Sequence, residues 1–580
     1  MQQPQPSPTL ISLLEASRRS RSRSLYSCAT PKSTSTAPEL RPLLVPEDAQ
    51  CAGSLDRHEY SIASLRRRVW DDTKPAPRTP MQVQQAQYEA KARLIGLAID
   101  DIGMGRYTWQ VFLMAGLGWM ADNFWMHGVA ILLPSLSTAF AIPEKRIRYT
   151  TTFLFLGLSI GSFLWGLTSD IHGRRPAFHF PLALSALAGL LAACAPSWLF
   201  LCATLILVGA GIGGSLPVDG AVFLEILPSR HRRLLTLLSV WWPAGQLVAA
   251  ALGILFLSTP AAEPSTTSPV PLWRAFLAAL AVLSGAFAAM RVTFFTALES
   301  PRFLLSHARD ADAVHIIHQL ACRNRVQTWL SLDVLDKVCE LSPSMRAACD
   351  VPADGAAQVE KKTVLGRMRS AASGFSAARI RPLFRSQQLG VATALVWFAW
   401  AVIGMGYPLF NAFLPQYLAH STSASASSRV YQNYLMTSLS GVPASVLATW
   451  LVDQRSAVFG RRGTLAVSTF LSAVFMFLFV RVPSEPMRVQ VACAAGFVQN
   501  IMYGVLYAYT PELFPAPVRG VGMGVASFLN RAMGLLAPVI AANLPGDGAT
   551  TPVTVAACLI LSAFVGIVLI PVETRGTHIL

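Results

Sequence analysis

Two charged side chains stand inside long apolar stretches: Asp122 in AGLGWMADNFWMHGVAILLP and Arg531 in ASFLNRAMGLLAPVI. A charge held in hydrocarbon costs at least about 2.5–3.5 kcal/mol unless it is paired or wetted, so both are functional candidates. A carboxyl group so placed can take up and release a proton, coupling proton entry to movement of another solute. A guanidinium can grip a carboxylate or hydroxyl groups of that solute. The plainer reading of Asp122 is a permanent pair with a neighbouring helix. Arg531 could also be the partner of Asp122, but the separation of the first and eleventh runs weighs against contact, so that pair is not predicted.

Uncharged polar residues form stripes at helical spacing. Asn500, Tyr503 and Tyr507 share one face with Gln499 beside it, Ser239, Trp242 and Gln246 form a second stripe, and Trp400, Tyr407 and Asn411 a third. Asn123 and Asn530 adjoin the two charges. Any one of these side chains could simply bond a neighbouring helix. Together they describe a neutral, hydrogen-bonding, partly aromatic cavity. His127 falls about 140° around a helix from Asp122, which separates the two. No His, Cys or carboxylate spacing suits a metal or a catalytic constellation, and no Walker-type phosphate loop is present, so neither cofactor nor enzyme activity is expected.

These residues need elements to hold them. Of 580 residues only 13% are charged and 53% are hydrophobic, against about a quarter charged in a soluble domain. The apolar residues gather into twelve runs: 108–136, 149–169, 177–197, 198–220, 234–258, 273–297, 389–414, 432–452, 464–482, 488–509, 519–541 and 551–571. Each is long enough for a helix to cross a bilayer, where unpaired backbone groups forbid loose chain. The expected class is therefore an all-α protein of the lipid bilayer.

The formal charge of +16 and SRRSRSRS at 17–24 do not point to nucleic acid. The basic residues sit mainly in the N-terminal tail, between the sixth and seventh runs, and after even-numbered runs, with Lys145, Arg146 and Arg148 on the other side. That distribution places both termini in the cytosol. Residues 1–105 have no apolar run fit for a signal peptide and read as a disordered cytosolic tail. The nine cysteines have no CxxC spacing. Residues 299–386 are polar and form a central cytosolic loop, in which HARDADAVHIIHQLACRNR has the periodicity of a short amphipathic helix.

On either side of that loop the same landmarks return in the same order. GLTSDIHGRRP, with Asp170, Gly173, Arg174 and Arg175, is answered by DQRSAVFGRR, with Asp453, Arg461 and Arg462. LEILPSRHRR, with Glu225 and Arg232, is answered by PELFPAPVRG, with Glu512 and Arg519. ESPR at 299–302 is answered by ETR at 573–575. Asp170 precedes Glu225 by 55 residues and Asp453 precedes Glu512 by 59, so the unit has been written twice. The domains expected are a tail at 1–105, a six-helix bundle at 106–298, the loop at 299–386, a second bundle at 387–572 and a cytosolic end at 573–580.

The stretch 166–175 resembles the signature between the second and third helices of the major facilitator superfamily, and ESPRFLL resembles the sugar and organic-ion porters. GGSLPVDGAVFLEILP, YQNYLMTSLSG, YTPELFPAPVRGVGMG and PVETRG are most similar to the fungal synaptic-vesicle-protein-like branch. The resemblance spans about residues 95–576 and implies two pseudo-symmetric six-helix bundles that rock about a central site. It implies that Asp170 and the Gly-Arg-Arg turns hold the cytosolic side shut, and that Glu225 with Arg232 and Glu512 with Arg519 close the second pair of loops. The alternatives are an orientation signal and helix caps. Two departures stand out: Thr204 and Leu205 occupy the place of the usual arginine of the fourth helix, and the fifth helix lacks the glycine-proline antiporter motif.

The expected activity is secondary transport of a small polar solute, coupled to protons, by a monomer of the plasma membrane. A nutrient receptor on a transporter fold and a facilitative uniporter are the alternatives. Sugar, carboxylate, vitamin and organic cation all suit such a cavity.

Overall fold

The computed structural model describes residues 61–70, 80–257, 271–295, 297–340, 381–384, 386–419, 427–454, 460–514, 519–544 and 550–572; the side chains of Asp170 and Arg519 lie outside the described residues. Among these residues the regular structure is helical throughout. Twelve long helices follow the twelve apolar runs. We number them α1 (Arg106–Ala139), α2 (Tyr149–His172), α3 (Arg174–Ala193), α4 (Trp198–Ile226), α5 (Arg233–Leu257) and α6 (Leu272–Thr293) in the first half. The second half holds α7 (Gln387–Asn411), α8 (Ser427–Leu451), α9 (Arg461–Arg481), α10 (Glu485–Leu513), α11 (Arg519–Asn543) and α12 (Thr550–Val568). Ten of them are apolar enough along their length to cross a membrane. α1 and α8 are more polar, and both pack within the bundle rather than facing lipid on all sides.

Packing shows the duplication directly. In the first half α1 packs on α5, α2 on α4, α3 on α6 and on α4. The second half repeats each pair six helices later: α7 on α11, α8 on α10, α9 on α12 and on α10. The halves meet through the two reciprocal pairs, α5 with α8 and α2 with α11. The twelve helices thus form two pseudo-symmetric six-helix bundles.

Small residues set the closest approaches. A Cβ on Gly157 of α2 would lie 2.1 Å from the Ile206 carbonyl oxygen of α4, an atom that cannot step aside. Gly157→Val is therefore expected to lower stability by about 1–3 kcal/mol, read as a fall in the thermal midpoint of the purified protein. At the turn into α3, Gly173 has φ +103°, a conformation that favours glycine. Glu299 accepts a hydrogen bond from the Arg174 backbone N–H at 2.7 Å, placing a carboxylate at the N-terminus of α3.

The expectation of one disordered segment over 1–105 is corrected where the chain is described; residues 1–60 lie outside. Helices run over Ile62–Val69 and Pro80–Ile102. Val83, Ala90, Leu94, Ile95, Ala98, Ile99 and Ile102 form a buried stripe at helical spacing that the polar average composition conceals. The second of these helices is tied to the central segment through Lys91 with Asp310 and through the Trp329 indole, which donates to Asp101. That segment forms helices at Pro301–Ser306, Asp310–Arg323 and Leu332–Cys339, of which the second lies in the stretch with the amphipathic pattern. We call the side of the bundle that carries these helices the tail face.

Candidate functional site

α1 carries Asp122 and Asn123 into a cavity of about 70 Å³ where both halves meet. Trp242 comes from α5, Tyr407 from α7, Gln499, Asn500, Tyr503 and Tyr507 from α10, and Asn530 and Arg531 from α11. Met126, Phe155, Leu216, Gly404 and Pro408 complete the wall with apolar surface. On the scale of about 10–15 Å³ for one water, the space admits a few waters or part of a small solute.

The three predicted stripes converge here. Four residues of α10 line the cavity together because their positions share one side of a continuous helix. Trp242 packs edge-on to Tyr507 with centroids 5.0 Å apart and lies flat on Trp119 at 4.9 Å. Tyr407 and Tyr503 meet edge-to-face at 4.9 Å. These rings form a stiff aromatic wall, worth about 0.5–1.5 kcal/mol per pair beyond burial.

Other stripe residues support that wall from behind. Gln246 donates to the Tyr407 hydroxyl at 3.2 Å, and Asn411 donates to Gln499 at 2.8 Å. Trp400 donates to Thr510 at 2.9 Å and packs on Tyr507. Ser239 lies away from the cavity; its carbonyl accepts from Ser445 across the halves at 3.4 Å.

The two isolated charges face each other, which is the one of the two readings of Arg531 that the sequence did not favour. Arg531 Nη2 is 3.6 Å from Asp122 Oδ1. The two helices face one central cavity from opposite halves, and the two side chains meet there. Asp122 is fully buried, yet neither of its oxygens has a hydrogen-bond partner among the described residues. The pair attracts by charge without the short bonds that would lock it. With no arginine at Thr204 or Leu205, the counter-charge to Asp122 comes from the opposite half.

A second buried pair escaped the sequence reading, which placed only two charges near mid-span. Asp219 of α4 and Arg291 of α6 are 2.7 Å apart, with side chains 1% and 0% exposed. Arg291 also donates to the carbonyls of Met114 and Phe178, and its guanidinium lies 4.0 Å from the Phe178 ring. Every nitrogen of the Arg291 guanidinium is bonded, Asp219 Oδ1 has no partner among the described residues, and the pair is confined to one half. The position of both residues within apolar runs was the available signal. His127 turns to the Tyr434 hydroxyl of α8 and away from Asp122, as its helical angle predicts.

At the tail face the loop charges pair differently from the arrangement expected. Arg174 reaches Glu225 at 3.4 Å, and Arg461 pairs with Glu512 in the same relation in the second half. Glu225 thus meets Arg174 and not Arg232, while the expected pair of Glu512 with Arg519 lies outside the described residues because the Arg519 side chain does. The last turn of α4 ends beside the start of α3, whereas Pro228 diverts the chain and carries Arg232 away. Asp453 meets Arg233 of the other half at 3.6 Å, an exposed contact worth about 0–1 kcal/mol. Arg462 donates to the Val568 carbonyl, and the Arg175 backbone N–H to Glu299.

The opposite face is tied by a buried arginine. Arg148, from the first half, donates to Gln416 at 3.1 Å and to the Ala541 carbonyl at 2.9 Å, with its guanidinium 5.2 Å from the Phe413 ring. Asn543 donates to the Tyr149 hydroxyl at 2.9 Å. Among the described residues no group of three metal-binding side chains occurs.

Comparison with known proteins places this arrangement. Residues 111–538 match the Major Facilitator Superfamily. The MFS siderochrome iron transporter 1 of Ceriporiopsis subvermispora is 37% identical, over 84% of this chain and 92% of that protein. The synaptic vesicle 2-related protein of Xenopus laevis is 26% identical, over 83% of this chain and 81% of that protein. Among solved structures, the partially occluded inward-open xylose transporter XylE from E. coli superposes with a TM-score of 0.59 at 15% identity, over 81% of this chain and 99% of that one. The duplicated bundles and the polar cavity between them are thus those of a multi-pass membrane transporter, and this chain belongs to the major facilitator superfamily.

Proposed function

We propose that the protein is a proton-coupled symporter that moves a small polar organic solute by alternating access. The observation that supports this most is the Asp122–Arg531 pair. It joins the two halves inside the cavity, and its carboxylate has no hydrogen bond to hold it. Protonation of Asp122 removes its charge, frees Arg531 for a carboxylate or hydroxyl of the solute, and loosens a tie between the halves. The aromatic wall binds the apolar body of the solute, and Asn123, Asn500 and Asn530 offer both donors and acceptors. A monomer suffices, since both halves lie in one chain. In this reading both termini and the tail face are cytosolic, and the plasma membrane is the site of action.

Reconstituted proteoliposomes test the proposal. With an inward proton gradient, a screen of siderochromes, sugars, carboxylates, vitamins and organic cations is expected to yield at least one labelled solute that accumulates above its external concentration. Dissipating the gradient should reduce that accumulation to equilibration. Binding without flux would identify a receptor, and flux that never exceeds equilibration would identify a uniporter.

A further inference from the structure

A second cavity, of about 90 Å³, opens at the tail face beside the loop pairs. Its walls come from both halves and from the N-terminal helix Pro80–Ile102: Asp100, Glu225, Arg232 and Arg302 on one side, Arg461 and Glu512 on the other. The carboxylates have partners. Asp100 accepts from the Ser229 backbone and hydroxyl, Glu225 meets Arg174, and Glu512 meets Arg461.

Two arginines are left over. Arg302 is half-buried, and its Nε is enclosed without a hydrogen-bond partner among the described residues. Arg232 lines the same cavity, and no described group bonds its guanidinium. Partial desolvation against the cavity wall first, and then the like charge of Arg302, hold Arg232 below the usual arginine range, against the pull of Asp100. Two guanidinium groups that face one space and repel each other are complementary to a compact anion of more than one charge, and phosphate matches their planar forks. A carboxylate would neutralise only one of them.

We propose that Arg232 and Arg302 form a phosphate-binding site in this tail-face cavity, distinct from the solute cavity. The ligand is either a free phosphate compound or the phosphorylated headgroup of a lipid. Because both halves wall the cavity, an occupant favours the conformation in which they are close here, and so biases the transport cycle.

The test uses the full chain in nanodiscs of phosphatidylcholine, with the thermal midpoint as readout. One arm titrates inorganic phosphate against sodium chloride at matched ionic strength. The other incorporates phosphatidylinositol 4-phosphate. The midpoint is expected to rise in at least one arm: a rise with phosphate assigns the free anion, and a rise with the lipid alone assigns the headgroup. Arg232→Gln, at an exposed position, should weaken the apparent affinity about tenfold, the loss of one charge-assisted contact. Arg232→Gln with Arg302→Gln should abolish the rise. No rise in either arm, an equal rise with sodium chloride, or unchanged affinity in Arg232→Gln overturns the proposal.

Discussion

Arg291→Met is expected to cost about 3–5 kcal/mol of stability, because it leaves the Asp219 carboxylate in the bundle without its counter-charge. Asp219→Leu should cost a similar amount by stranding the guanidinium. The contacts argue for the upper part of that range. Both side chains are essentially unexposed, and Arg291 binds two carbonyls besides Asp219, so it joins α1, α3, α4 and α6. The double variant Asp219→Leu with Arg291→Met removes both charges, and it should recover most of the loss, since an apolar pair of similar volume is often neutral. Thermal unfolding of the four proteins in one detergent measures this. A loss in the double variant equal to the sum of the two single losses would show that the charges are not coupled.

Asp122→Asn should have the largest effect on activity. Solute accumulation against a gradient is expected to fall at least tenfold, while exchange of solute between two equal pools persists. Asparagine keeps the shape of the side chain and cannot carry the proton. It also leaves Arg531 without its charge partner, so solute binding is retained or tightened. Lowering the pH on the uptake side should speed native transport and leave the variant unchanged. The contrast with Asp219 follows from geometry. One buried aspartate is clamped by a saturated arginine within a single half, whereas the other faces an arginine of the opposite half at 3.6 Å with both oxygens free of hydrogen bonds among the described residues.

The sequence revealed most of what depends on local spacing. The twelve crossings follow from the length of apolar runs, and Asn500, Tyr503 and Tyr507 share a wall because positions three or four apart lie on one side of a helix. The duplication was legible because paired landmarks kept nearly constant intervals, and packing repeats it pair for pair. What stayed hidden depends on which helices become neighbours. Asp122 meets Arg531 only because α1 and α11 face the same central space. Arg174 takes Glu225 because Pro228 turns Arg232 aside. The helix Pro80–Ile102 was missed for a different reason: its buried stripe is diluted by Gln, Lys, Arg and Asp on the other side.

Distances between spin labels on the two faces test alternating access most directly. One pair, at Arg230 and Trp450, reports the tail face, and the other, at Lys145 and Met487, reports the opposite face; all four positions are exposed. As the pH falls, the two distances should change in opposite senses in the native chain, one face opening as the other closes. In Asp122→Asn both should stay fixed across the titration. Distances that move together, that do not move at all, or that respond equally in Asp122→Asn would contradict a proton-driven rocking of the two halves.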